Sequence, residues 1–249
     1  MVFLMEINME NEMINTNKQK NKKITLSSEA VYAVGIILLS LAVAILTSAD
    51  FGVSQVVAPA YLLSLKLDFL TFGQAEYIVQ AGVFILLCVI LKRFKIVYLQ
   101  SFVTCLIYGA VLDLWRKLPC FDPSVTPPGS MALWLRIVMF VFGALLTSFS
   151  VALFFKTYLY PQVYDMFVKA VSVKYNIKLS VFKTIVDVTM FISSIIMTYC
   201  FFGKIIGIGF GTLIMAFING FIIGLFSNLI DRHFDFKPTF ENFAKHFEM

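Results

Sequence analysis

Six stretches of this chain run for 15 to 26 residues without a charged side chain: 30–49, 77–91, 96–112, 137–155, 188–203 and 205–230. A helix rising 1.5 Å per residue needs about 20 mostly apolar residues to cross about 30 Å of hydrocarbon, so these runs predict six membrane crossings. Composition agrees: the 249 residues are 59% hydrophobic and 14% charged, against about 25% charged in an ordinary soluble domain, with a mean hydropathy of +0.86. A soluble globule is excluded. The expected fold class is an all-α integral membrane protein.

A seventh apolar stretch, 53–65, is too short to span and contains Pro59, which predicts a re-entrant or interfacial helix. Orientation follows from the basic residues, which concentrate on cytoplasmic loops. With six crossings and the N-terminus inside, 15 of the 20 Lys and Arg fall on the cytoplasmic side, and Lys66, Arg116, Lys117, Arg136 and Lys204 fall outside. A crossing at 53–65 would invert every later loop and erase that bias. The expected arrangement is therefore multi-pass with both termini cytoplasmic. The net charge of +5 points to no nucleic-acid partner, because the basic residues stand singly between apolar runs.

Superposing the second half on the first with an offset of 111 residues places Ser101, Cys105, Gly109 and Asp113 on Thr212, Ala216, Gly220 and Gly224. Steps of four put each set on one helix face, where small side chains let membrane helices approach closely. The same offset lays Glu76 on Asp187 and 53–65 on 164–176. Gly207 and Gly211 extend the small-residue pattern toward the start of the last run. Three crossings per half give the halves opposite orientation, so the expected architecture is two inverted three-helix repeats, each with a short extra helix. The expected organisation is a disordered cytoplasmic tail over 1–28, repeat 1 over 29–117, an external loop over 118–130, repeat 2 over 131–231 and a cytoplasmic tail over 232–249.

The short second, third and fifth runs draw Glu76, Asp113 and Asp187 to or below the interface, where an acid costs up to about 2.5–3.5 kcal/mol and needs a protein or water partner. Asp50, Gln55, Glu76, Gln80, Asp113 and Arg136 map to the outer half, Asp187 to the cytoplasmic half and Asn219 near the midplane. These eight are the candidate solute- or ion-binding residues, with Arg136 expected to pair with Asp113 or Glu76. Each also has a plainer reading. Asp187 can pair with Lys183 one turn away, Asp113 with Lys117, and Arg136 can snorkel to the surface. Expected to serve helix packing are Ser101, Cys105, Gly109, Gly207, Gly211, Thr212, Ala216, Gly220 and Gly224.

Catalytic signals are weak. The only histidines, His233 and His246, lie in the C-terminal tail, and no HExxH, GxSxG or Walker pattern occurs. No enzyme, cofactor or metal is expected. Four cysteines without CxxC spacing read as packing groups.

Asn219-Gly220 and Gly224 following Gly207-Ile208-Gly209-Phe210-Gly211-Thr212, the Ala58-Pro59 segment and the doubled organisation resemble the YczE/YyaS/YitT group of uncharacterised bacterial membrane proteins. The resemblance implies an inner-membrane protein with suspected transport and no catalytic residues. Size, crossing number and cytoplasmic ends also look like the substrate-binding subunits of energy-coupling-factor vitamin transporters, although the first helix lacks their AxxxA contact motif. The expected function is a small-solute or ion transporter or its binding subunit. The alternative is a membrane scaffold or regulator acting through small-residue faces. Expected partners are the lipid bilayer, a small polar solute or ion, and a second copy or an energising subunit.

Overall fold

A computed structural model describes residues 23–92, 98–159 and 162–245. Most of the expected N-terminal tail lies outside these residues, as do Lys18, Lys20, Lys22, Arg93, Lys95 and His246. The elements are β1 (Ile24–Ser27), α1 (Ser28–Ala49), α2 (Ala58–Lys66), α3 (Phe72–Leu91), α4 (Leu99–Trp115), α5 (Leu133–Lys156), α6 (Val163–Tyr175), α7 (Leu179–Phe202), α8 (Phe210–His233), β2 (Phe234–Lys237) and α9 (Glu241–Ala244). Five of the helices are long and apolar enough to cross a membrane, and α4 is a shorter apolar helix of 17 residues.

Each helix starts where local chemistry satisfies its free amides. The Ser27 hydroxyl accepts from Ala30 N at α1, and Thr71 and Gln74 form a reciprocal capping box at α3. Pro59 stands in the first turn of α2, where its missing N–H costs nothing. Two helices begin well before their charge-free runs: α3 by five residues and α7 by nine. The extensions carry Glu76, Lys183 and Asp187 into the helices because those charges find partners inside the protein. At α8 the opposite holds, and the glycine turn at Gly207–Gly209 delays its start to Phe210.

The order long, short, long, long occurs twice. Within the first half α1 packs on α4, α2 on α3, and α3 on α4; within the second, α5 packs on α8, α6 on α7, and α7 on α8. Between the halves α1 packs on α5, α2 on α7, α3 on α6 and, more lightly, α4 on α6. Exchanging the two halves leaves these pairings unchanged except for that of α4 with α6, whose counterpart would join α8 to α2. The short helices depart from the interfacial expectation: Ala58–Leu62 of α2 and almost all of Val163–Ser172 in α6 are buried in the packed interior. Irregular backbone at membrane depth is tolerated where protein covers it, and these segments are covered. The exterior is apolar, with Trp134, Phe217 and Phe221 each more than two-thirds exposed, as a lipid-contacting surface requires.

The stretches expected as tails differ near the helices, because β1 and β2 pair in parallel, Ile24 opposite Phe234 through Ser27 opposite Lys237. The Glu29 carboxylate accepts from Thr239 N and Phe240 N at 3.0–3.2 Å and from the Tyr158 hydroxyl at 2.8 Å. Nearby, Lys156 binds Asp231 at 2.6 Å. The segment entering α1 and the segment leaving α8 therefore lie at one end of the bundle.

The small-residue stripes behave differently in the two halves. In α4, Ser101 and Cys105 are buried, and the Gly73 carbonyl oxygen lies 2.9 Å from where a Cβ on Gly109 would sit, so α3 and α4 nearly touch. Thr212 is buried, Gly207 seats against Tyr61, and Gly211 N donates to Phe51 O at 2.8 Å. Gly220 and Gly224 correct the packing expectation: nothing lies within 4 Å of an added Cβ at either, because their face of α8, with Ala216, lines an open groove. Gly109→Leu is expected to lower stability by about 1–3 kcal/mol or more through overpacking, and Gly220→Leu to leave it within about 0.5 kcal/mol. Thermal unfolding of the two purified variants in detergent checks this; equal losses would mean the second stripe also packs.

Candidate functional site

The six residues mapped to the outer half do not converge on one place. Arg136 pairs with Asp50 (3.4 Å) and not with Asp113 or Glu76; its Nε donates to Ala49 O at 2.8 Å, its Nη2 to Asp50 O at 2.9 Å, and it lies 4.8 Å from the Phe51 ring centroid. Asp50 is the left-handed C-cap of α1, so Arg136 satisfies the last carbonyls of that helix. Asp113 accepts from the Thr71 hydroxyl at 2.5 Å and from Gly73 N at 2.9 Å, placing a negative charge at the positive N-terminal end of α3. Both residues hold helix ends in place.

Glu76, Gln80, Gln55, Asp187 and Asn219 lie in the interior. Glu76 and Gln80 are one turn apart on α3 and fully buried. Gln80 Nε2 donates to Glu76 Oε2 at 3.0 Å and to Gln162 Oε1 at 3.2 Å, while Gln80 Oε1 accepts from Val163 N at 3.2 Å. The Tyr164 hydroxyl donates to the same Glu76 oxygen at 3.4 Å, and the Cys105 thiol lies 3.9 Å from the Glu76 carbonyl. One glutamine amide thus ties α3 to the start of α6.

Across the interior, Lys183 Nζ stands between Asp165 (3.2 Å) and Asp187 (3.3 Å). Asp187 therefore does pair with Lys183 one turn away, and a second carboxylate, from α6, shares the cation. Gln55, buried between α1 and α2, lies against Asp187 and accepts from the Ser54 hydroxyl at 3.5 Å. Asn219 Oδ1 accepts from the Ser148 hydroxyl at 2.6 Å.

Between these groups lies a cavity of about 40 Å³. Leu39, Ser54 and Tyr108 line it from the first half, and Gln162, Lys183 and Asn219 from the second. A cavity needs about 10–15 Å³ to hold one water, so this one accommodates about three waters or a bare ion with little hydration. Two atoms of its wall, Tyr108 Oη and Gln162 Nε2, are buried and find no hydrogen bond among the described residues, and the same is true of Glu76 Oε1, whose carboxylate bonds the lining Tyr164. Buried polar groups left unpaired cost about 1–3 kcal/mol each, which argues for something bound there.

Lys183 also lines a second space. A groove of about 440 Å³ runs past Gly220 and Gly224, walled by Phe155, Phe217 and Phe221, with Lys183 and Asp187 at its polar edge. The cation and its two carboxylates separate the central cavity from that groove. Among the described residues no group of three His, Cys, Asp or Glu side chains has metal-binding geometry.

Several members were not legible from the sequence. Tyr108, Gln162, Tyr164 and Asp165 carry no motif, and Tyr108 falls inside an apolar run. The available signal was the repeat offset, which lays 162–165 on 51–54, the stretch before α2 that includes Ser54. Lys183→Met is expected to cost about 3–5 kcal/mol by leaving two buried carboxylates unpaired, with Asp165→Asn in the same chain recovering part of it. A double-mutant thermal-unfolding cycle measures this; an unaffected Lys183→Met variant would mean the trio does not hold α6 to α7.

No curated protein and no solved structure shows significant similarity to the chain. A family model matches residues 26–228, which covers every helix from α1 through most of α8 and the whole of the central cavity. The chain belongs to the family of unknown function DUF6198.

Proposed function

We propose that this is a six-crossing inner-membrane protein of two inverted repeats that binds a small polar solute or ion between them and carries it across the bilayer. The observation that carries this reading is the central cavity, whose walls come from both halves and include two buried polar atoms without partners, Tyr108 Oη and Gln162 Nε2. Transporters built on inverted repeats place their site near the midplane between the halves and open it alternately to each side. The pairing list, unchanged when the halves are exchanged apart from α4 on α6, supports the repeat. Pairing of β1 with β2 favours an even number of crossings, which α4 supplies as the sixth; its 17 residues reach about 26 Å, close to the hydrocarbon thickness. The basic-residue bias places both ends in the cytoplasm. The chemistry is binding and translocation, with no bond made or broken. At about 40 Å³ the cavity selects for species of a few heavy atoms in this closed arrangement.

The scaffold reading rests on one observation, the uncovered stripe of Gly220 and Gly224 beside exposed Phe217 and Phe221, a face that a partner helix could fill.

Two measurements test the first reading. Exposed Cys120, kept as the only cysteine, is expected to react with a membrane-impermeant thiol reagent added outside intact cells, whereas a cysteine placed at Glu241 reacts only after permeabilisation. Small polar solutes and ions are expected to raise the thermal midpoint of the purified protein, with Asn219→Leu weakening the effect at least about tenfold, or 1.4 kcal/mol. Cys120 protected from outside would overturn the topology, and no stabilisation by any solute would leave the scaffold reading.

A further inference from the structure

Glu76 differs from every other interior charge. The Asp165 and Asp187 carboxylates share Lys183, Asp50 has Arg136, and Asp113 has the α3 N-terminus with Arg116 close by. Glu76 has two neutral donors, Gln80 Nε2 and the Tyr164 hydroxyl, and both go to Oε2. Its Oε1 is buried without a partner, and so is the Tyr108 hydroxyl, an element away on α4.

From α4, the titratable groups near Glu76 are Cys105 and Tyr108, while Asp113 and Arg116 stand at the far end beside Thr71 and Phe72. From α2 come Tyr61, packed on Phe72, and Lys66, bonded to Phe201 O. From α6 come Tyr164, Asp165 held by Lys183, half-buried Lys169, and Lys174, bonded to Ile90 O. On α3 itself Tyr77 points away, donating to Leu106 O. Among the described residues, no basic side chain contacts the Glu76 carboxylate.

An ionised carboxylate in a dry interior needs a compensating positive charge. With Lys183 counted against one of its two aspartates, the ionised interior holds two negative charges in excess, and Glu76 is the one with no cation of its own. Its carboxylate bonds the Tyr164 hydroxyl, and Tyr164 and the unpartnered Tyr108 both line a cavity that fits a bare ion and little more.

We propose that Glu76 Oε1, together with the unpartnered Tyr108 hydroxyl, binds one monovalent cation, a proton or an alkali ion, that enters together with the solute of the central cavity. The inference rests on the solute-binding reading and names its coupling ion. A proton would make Glu76 a neutral acid whose Oε1–H donates to Tyr108; an alkali ion would take both oxygens as ligands. Either species cancels the charge that otherwise has no partner.

The full-length protein in nanodiscs distinguishes the sources. For an alkali ion, replacing choline chloride by NaCl or KCl at constant ionic strength raises the wild-type thermal midpoint by at least about 2 °C, and Glu76→Gln and Tyr108→Phe remove or reduce the rise. For a proton, infrared spectra of wild type show a protonated-carboxyl C=O band that titrates away at alkaline pH and is missing from Glu76→Gln, with no effect of Na⁺ or K⁺. Should Glu76→Gln fail to fold, the two wild-type signals and the Tyr108→Phe variant still decide. No salt-specific shift and no titrating carboxyl band would overturn the proposal. Solute stabilisation that persists unchanged across pH and cation would overturn the coupling while leaving the solute site standing. A cation signal without any solute effect would overturn the coupling and remove the solute reading with it.

Discussion

Lys183 holding two carboxylates at once is the contact on which the interior depends. A lone ammonium or carboxylate in hydrocarbon costs several kcal/mol, and this trio spreads one positive charge over Asp165 of α6 and Asp187 one turn along α7. The pairing docks the short buried helix against a crossing helix, and it forms a wall between the central cavity and the lipid-side groove. A buried ion pair contributes little to net stability, so its presence here is better explained by the two spaces it divides than by the strength of the contact.

The same bilayer constraint governs the backbone. After α1 the chain runs as irregular structure from Phe51 to Val57, and before α8 from Gly203 to Gly209, both beside membrane helices. The two loops satisfy each other: Val53 N donates to Gly207 O at 3.4 Å, and Gly211 N to Phe51 O. Thr198 accepts from Ile206 N at 2.9 Å and its hydroxyl lies 3.0 Å from Lys204 O. Amides that would otherwise face hydrocarbon are paired across the halves, which binds the loop of one half to the last helix of the other.

What could be read from the sequence follows the same division. Lengths, apolar runs and the doubled order long, short, long, long were legible because the bilayer sets helix length directly, whatever the tertiary contacts. Charge-free counting alone does not locate the starts of α3 and α7, but the shortness of those runs already draws Glu76 and Asp187 into the helices, where the structure has them. Arg136 was sent to the wrong acid for a related reason: depth along a helix says nothing of azimuth, and its guanidinium meets the C-terminal carbonyls of α1. The cavity could not be seen at all. It is assembled from Ser54, Tyr108, Gln162 and Lys183, none remarkable alone, and it exists only once α1, α4 and α7 surround the start of α6.

The repeat offset lays Glu76 on Asp187, and the two positions have diverged in one respect. Asp187 has a permanent cation one turn away, whereas the residue one turn before Glu76 is Phe72, which packs on Tyr61. Two equivalent interior acids with the same compensation would make the halves energetically alike. Giving one of them a fixed lysine and leaving the other to a mobile charge makes the closed arrangement depend on what occupies Glu76. In the proposed alternating cycle of two inverted repeats, occupancy at that single carboxylate would bias which side opens.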